Sequence, residues 1–326
     1  MTRTHMRLHK QVFVLLLAVF ACGAGAQDYP NRPIRILVPN APGSSVDTMT
    51  RILTTRLGEA LGGASIVVED RDGAGGLIGM DAGRKAAPDG YTLITVSNGS
   101  GVIAPLLKKV RPYDTAQDFE LIGSFAITPN VLVVNPQLPV NSVKELIDYA
   151  RAHRATINMA SAGIGSQSHL AGALLMTMGN FESLHVPHKG GGPSVGSVAA
   201  GQTHWTLTPA PAAMAQVKAG RLRAIGQSLP RRSALLADLP AISETVPGYD
   251  FNGWAGLIAP KGTPRPVIER VQAALAKTLS APEVREGLAG QGADLFPGNT
   301  EEFRKFLAQD VANTERVMKA AQLQPE

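Results

Sequence analysis

The stretch ASAGIGSQSHLAG (residues 160–172) decides how this chain is read. A short apolar run leads into it (Ile157, Met159, Ala160), and His169, Leu170, Leu174 and Leu175 lead out at helical spacing. Between them lie Ser161, Gly163, Gly165, Ser166 and Ser168. This is a strand, a loop of small residues and a helix start. The construction recurs at PNAPGSSVD (39–47), between the strand-like IRILVP (34–39) and a helical run carrying Met49, Ile52, Leu53, Leu57 and Leu61. ASIVVED (64–70), GAGGLIGMDAGRKA (73–86) and YTLITVS (91–97) continue the alternation, which predicts a parallel sheet with right-handed crossovers.

A second alternating unit follows. Its strands are NVLVVNP (130–136), TINMASA (156–162), SLHVPHK (183–189), THWTLTP (203–209) and LRAIGQS (222–228). Helical patterns at 142–153, 192–201 and 211–220 fall between them. The chain passes between the units at FELIGSFA (119–126) and YDFNGWAGLIAP (249–260), and reads as mostly helical afterwards. The expected fold is two α/β domains joined by two crossover segments, with a ligand cleft at the strand C-termini. Residues 1–26 form a signal peptide, residues 27–125 plus 251–326 the first domain and residues 126–250 the second.

The leader reading rests on Arg3, Arg7 and Lys10 followed by VFVLLLAVFACGAGA (12–26) with a small-residue cleavage site at Ala24-Gly25-Ala26. Export to the periplasm follows from it, and no other segment is apolar enough to span a membrane. A lipidated Cys22 is the alternative, which the bulky Phe20 disfavours. Three cations leave with the leader, so the formal net charge of +5 falls to +2. No basic stripe with interleaved aromatics suggests nucleic acid. Cys22 is the sequence's single cysteine, so no disulfide or thiolate metal site is expected in the mature chain.

The motifs narrow the chemistry. Residues 163–168 approach G-x-G-x-x-G, but Ser168 holds the third place and the next strand ends in His188-Lys189 without a carboxylate. A dinucleotide site is therefore rejected, and no cofactor is expected. GPSVG (192–196) spells a nucleophile elbow at Ser194, yet no histidine occurs after His204 and no acid lies between the two. His185 and His188 are three apart on a strand, without a carboxylate cluster to make a metal site. What remains is a helix start rich in amides and hydroxyls, suited to an anion or to a plain turn. Two such loops facing one cleft would pinch a carboxylate. Asp47 complements its own helix or meets a ligand amine. Asn98 hydrogen-bonds a ligand or closes an Asx-turn. His169 reaches the cleft or sits half-exposed, and Trp254 anchors a core.

These residues carry a resemblance. YPNRPIRILVPNAPGSSVD, VVEDRDGAGGLIGMDAGRKAAPDGYTL, NMASAGIGSQSHLAG, HVPHKGGGPSV, AGRLRAIGQS and WAGLIAPKGTP, in this order, resemble the Bordetella uptake gene product family, the substrate-binding components of tripartite tricarboxylate transporters. The resemblance implies a type II periplasmic binding protein, not an enzyme. It implies a monomer that captures a small carboxylated solute and delivers it to membrane permease subunits. It places the carboxylate grip at Gly43, Ser44 and Ser45 and at Ser161, Gly163, Gly165, Ser166 and Ser168. The chain departs from the family at Val46, at His188 where a tyrosine is common, and at Thr208 where an acid is common. Loss of that acid points away from an amino-acid ligand. A serine hydrolase using Ser194 or Ser166, and a sensor for a membrane signalling partner, are the competing readings.

Overall fold

The computed structural model describes residues 29–320 and 323–325. The proposed leader and Cys22 lie outside the described residues. Strands β1 (Ile34–Val38), β2 (Ile66–Asp70) and β3 (Thr92–Ser97) are linked by helices α1 (Ser45–Ala60) and α2 (Leu77–Arg84). All three strands run parallel, with Ile36 opposite Val68 on one side and Leu93 on the other. Helix α1 buries Met49, Leu53 and Leu57, one stripe at a spacing of four. Gly62 and Gly63 end its run in the left-handed region, at φ 84° and 86°.

After β3 the chain makes a π-helical turn (Gly99–Ile103) that passes into a short helix, Ala104–Leu106. β4 (Phe119–Thr128) stays in the first sheet, and β5 (Asn130–Val134) belongs to the second. The second unit then runs α3 (Val143–Ala152), β6 (Asn158–Ser161), α4 (Gln167–Gly179), β7 (Leu184–Pro187), α5 (Gly191–Ala199), β8 (Trp205–Pro209), α6 (Ala210–Lys218) and β9 (Arg223–Gln227). β10 (Gly253–Pro260) returns to the first sheet. Helices α7 (Arg265–Ser280) and α8 (Pro282–Gly290), strand β11 (Asp294–Gly298) and helix α9 (Thr300–Ala320) complete it.

The sheet orders are β11-β4-β10-β3-β1-β2 and β7-β6-β8-β5-β9. Both are mixed: β1, β2 and β3 are parallel as the alternation predicts, and the crossing strands bring in antiparallel pairs. β10 runs antiparallel to β3 and to β4, and β5 runs antiparallel to β8 and β9. The reason is topological. One crossing carries the chain out of the first sheet and the other brings it back, so two crossings paired side by side must oppose each other. β11 adds an edge strand on β4 that the sequence pattern did not reveal.

Period-two alternation builds the second sheet's two faces. In β5, Leu132 and Val134 join one core with Trp205, Leu146 and Leu174, while Val131 and Val133 join another with Val195, Val198 and Leu222. The first of these cores runs on without interruption to Trp254, Phe303 and Leu307. Helix α9 packs on β4 and also on α4, so it bridges the two units. Trp254 is buried, and its Nε1 donates to Asp310 Oδ2 at 2.8 Å.

Candidate functional site

In each sheet a strand has neighbours whose connections lead away on opposite sides. β1 lies between β3 and β2, and β6 lies between β7 and β8. The loops after such strands part and leave a crevice at their C-termini. A single cavity of about 500 Å³ sits there, and loops of both sheets line it.

Two helix starts meet at this cavity, built alike. Ser44 caps α1, its Oγ accepting from the Asp47 amide at 3.3 Å. Ser166 caps α4, its Oγ accepting from the His169 amide at 3.2 Å. Each cap satisfies the third amide of its helix and leaves the first two without a partner. Those are the amides of Ser45 and Val46 in α1, and of Gln167 and Ser168 in α4. They donate to no protein atom among the described residues, and all four residues line the cavity. The positive ends of two helix dipoles thus converge on one space.

Seven sequence-predicted residues line the cavity: Ser44, Ser45, Gly163, Gly165, Ser166, Ser168 and Thr208. Five stand outside its lining, each held by another partner. The Gly43 amide donates to Asp47 Oδ2 at 2.8 Å. Asp47 also takes Arg51 at 2.5 Å, and Arg51 in turn pairs with Asp70 at 2.7 Å. Burial, and then the charge of Asp47, push the Asp70 carboxyl above its usual range. Asn98 donates to Asp310 Oδ2 at 2.7 Å, which turns it toward α9. Burial raises the Asp310 carboxyl against the pull of Trp254 and Asn98. Ser161 is bound to His185 Nε2 at 2.6 Å. His169 is buried beneath the loop, its Nδ1 accepting from the Gly165 amide at 3.0 Å.

The expected run of free amides in 160–172 is therefore narrower. Ala162 donates to Ser168 Oγ, Gly163 to Ser161 Oγ, Gly165 to His169 and Ser166 to the Gly163 carbonyl. Only Ile164, Gln167 and Ser168 remain open. The sequence reading missed Ser97, Ser100, Leu107 and Lys108, which line the cavity from the end of β3 and the turn after it. The serine pair flanking a glycine at a strand end was the signal available. Lys189 and His188 line the other side. Asp72 is the one carboxylate in the lining.

The hydrolase reading finds no nucleophile. Ser194 is fully buried in α5, and its Oγ has no partner among the described residues. Ser166 is spent on its cap and on Ser168, with no imidazole nitrogen bonded to it among the described residues. No cluster of three or more histidine, cysteine, aspartate or glutamate residues suited to a metal occurs among the described residues. No described helix is long and apolar enough to cross a membrane.

A family model for the tripartite tricarboxylate transporter family receptor matches residues 49–323. Protein BugT of Bordetella pertussis is 33% identical over 296 residues, 90% of each chain. Among solved structures, R. palustris Rpa4515 with adipate is 32% identical, with a TM-score of 0.88 over 91% of this chain and 100% of that one. MatC from Rhodopseudomonas palustris with bound malate is 29% identical, with a TM-score of 0.83 over 89% of this chain and 99% of that one. The shared architecture is the two-domain α/β fold of periplasmic binding proteins.

Proposed function

The chain belongs to the tripartite tricarboxylate transporter receptor family, and from that premise we propose that it captures a small carboxylate between its two lobes and delivers it to a membrane permease. It is a receptor, not an enzyme: capture needs no bond to break. The observation that carries this reading is the pair of capped helix starts with four open amides on one cavity. Neutral donors and helix ends bind an anion without a permanent ion pair, which suits a ligand that must be released.

The lobes are residues 27–125 with 251–326, and residues 126–250. A carboxylate gripped from both sides favours the arrangement in which they meet, since only that one makes every contact. The relatives Rpa4515 and MatC were solved with adipate and malate, and this chain takes an acid of the same general kind. With Thr208 in place of the family's acid, the ligand carries no amine to be neutralised there. The cavity offers Leu77, Ala104, Leu107 and Ile164 to an apolar spacer. The chain acts as a monomer in the periplasm after cleavage of residues 1–26.

A thermal-shift screen of mono-, di- and tricarboxylic acids on residues 27–326, malate and adipate included, tests this. A ligand that binds only the folded state raises the melting temperature. The expected result is stabilisation by at least one acid, lost in the Ser166→Ala, Gly165→Pro double variant while its melting stays cooperative. No response to any acid, or an unchanged response in the variant, overturns the reading.

A further inference from the structure

Beneath the loop 161–168 lie two histidines that the carboxylate grip does not use. The His169 and His185 rings stack face to face, 4.1 Å between centroids and 4° from parallel. His169 Nδ1 accepts from the Gly165 amide at 3.0 Å, and His185 Nε2 lies 2.6 Å from Ser161 Oγ. Ser161 Oγ in turn meets both the amide and the carbonyl of Gly163, at 3.1 and 3.2 Å. One ring thus holds the far half of the loop and the other holds the near half. We propose that His169 is a positioning residue for ligand capture: it draws the Gly165 amide inward and so determines which amides of the loop face the cavity. This rests on the carboxylate-capture reading of the same site.

The chemistry of the bond fixes the state of the ring. A backbone N–H only donates, so Nδ1 carries no proton, and the neutral ring bears its hydrogen on Nε2. Burial, reinforced by the charge of His185, keeps it neutral. No histidine takes part in an ion pair among the described residues. His188 acts on His185 in turn. Gly163 and Gly165 both sit at positive φ, 123° and 74°, so the loop needs an outside hold to favour this path. His169 does not line the cavity, so it acts through Gly165 and not by touching ligand.

The test separates the hold from the capture. His169→Phe keeps a ring against His185 but offers no acceptor, whereas His169→Asn restores an oxygen near the Nδ1 position. In ligand-free, 15N-labelled protein, amide exchange at Gly165 should quicken about tenfold or more in the Phe variant and return to within about threefold of wild type in the Asn variant, as for one buried hydrogen bond lost and regained. Titrations with malate and adipate should show the same order for whichever acid wild type binds. Equal Gly165 protection in wild type and His169→Phe, or lost protection with unchanged affinity, overturns the proposal. If wild type binds neither acid, the capture reading loses support while the exchange experiment still decides the role of His169. Melting curves for each variant identify any that fail to fold.

Discussion

Ser44 and Ser166 do one job in two places. Each caps a helix and, by satisfying the third amide, leaves the first two aimed at the cavity. Ser44→Ala and Ser166→Ala should each lower stability by about 1 kcal/mol, read by denaturant titration, and should also weaken carboxylate binding. A stability loss without an affinity loss would make the caps purely structural. Thr208 lines the cavity and is almost wholly buried, so Thr208→Asp places a carboxylate against the ligand. Acid affinity should fall at least about tenfold by calorimetry, as like charges in a poorly hydrated site repel. His169 adds a pH dependence of its own. Burial brings its imidazole down from 6.5 to about 4, and burial lowers His185 as well. Unfolding restores the ordinary values, so between pH 6.5 and 4 the unfolded chain binds protons that the folded chain refuses. This contribution to stability is fully present above 6.5 and is lost as pH falls toward 4. The melting temperature of wild type should drop more steeply over that window than that of His169→Asn. Residue type and local spacing revealed the two helix starts, but they could not name the capping serines or orient His169 or Asn98. A residue in the first helical turn can face a cavity or a core, and the partner of Asn98 lies at Asp310, far along the chain.

The loops that line the cavity touch each other across it. A Cβ on Gly165 would run into Leu107 Cδ1, and Leu107 belongs to the end of the turn after β3. Gly165→Ala therefore meets two penalties, the left-handed backbone at φ 74° and the leucine opposite. Leu107→Ala relieves only the second. In a double-mutant cycle on carboxylate affinity, Leu107→Ala should recover part of the Gly165→Ala loss, with an interaction energy above about 0.5 kcal/mol, and additive effects would show that the two elements do not meet when ligand binds. The elements themselves were legible wherever periodicity was strong. Met49, Leu53 and Leu57 mark α1, and IRILV marks β1. β11 was hidden because DLFPG carries Pro297 and Gly298, which read as a turn, although a proline is tolerated on an edge strand such as this one. The π-helical turn was hidden because Asn98-Gly99-Ser100-Gly101 reads as a loop. It is held instead by the Ser97 amide on Ser100 Oγ, and by the Tyr113 hydroxyl on the Ser100 carbonyl. Strand direction was legible for β1, β2 and β3, where helices alternate with strands, but not for the crossing strands, since a period of two is the same read either way.

At the scale of the whole molecule, the two crossings are tied where they pass between the units. Asn130 Nδ2 donates to the Phe251 carbonyl at 2.6 Å, and its Oδ1 accepts from Gln167 Nε2 at 3.1 Å. Its amide donates to Ser228 Oγ, which donates to Asn252 Oδ1 at 2.7 Å. If capture moves the proposed lobes, they turn about this short, bonded waist, with the loops at the cavity mouth moving furthest. Ala41 and Gly190 mark that mouth: a Cβ on Gly190 would lie 3.1 Å from the Ala41 Cβ. A disulfide needs about 3.5–4.5 Å between Cβ atoms, which a small outward shift provides. Gly190 sits at φ 105° and ψ 169°, a region essentially reserved for glycine, so a cysteine there costs on the order of 1–3 kcal/mol, against roughly 4–5 kcal/mol that closing a long loop can return. The single cysteine of the sequence is Cys22, within the proposed leader, so the mature Ala41→Cys, Gly190→Cys variant carries only the designed pair. Ligand should speed formation of the bond if it draws the lobes together. Once formed, the bond should slow both uptake and release of a bound acid about a hundredfold or more, reversibly on adding reductant. Fast ligand exchange in the fully oxidised protein would mean that capture does not require the mouth to open.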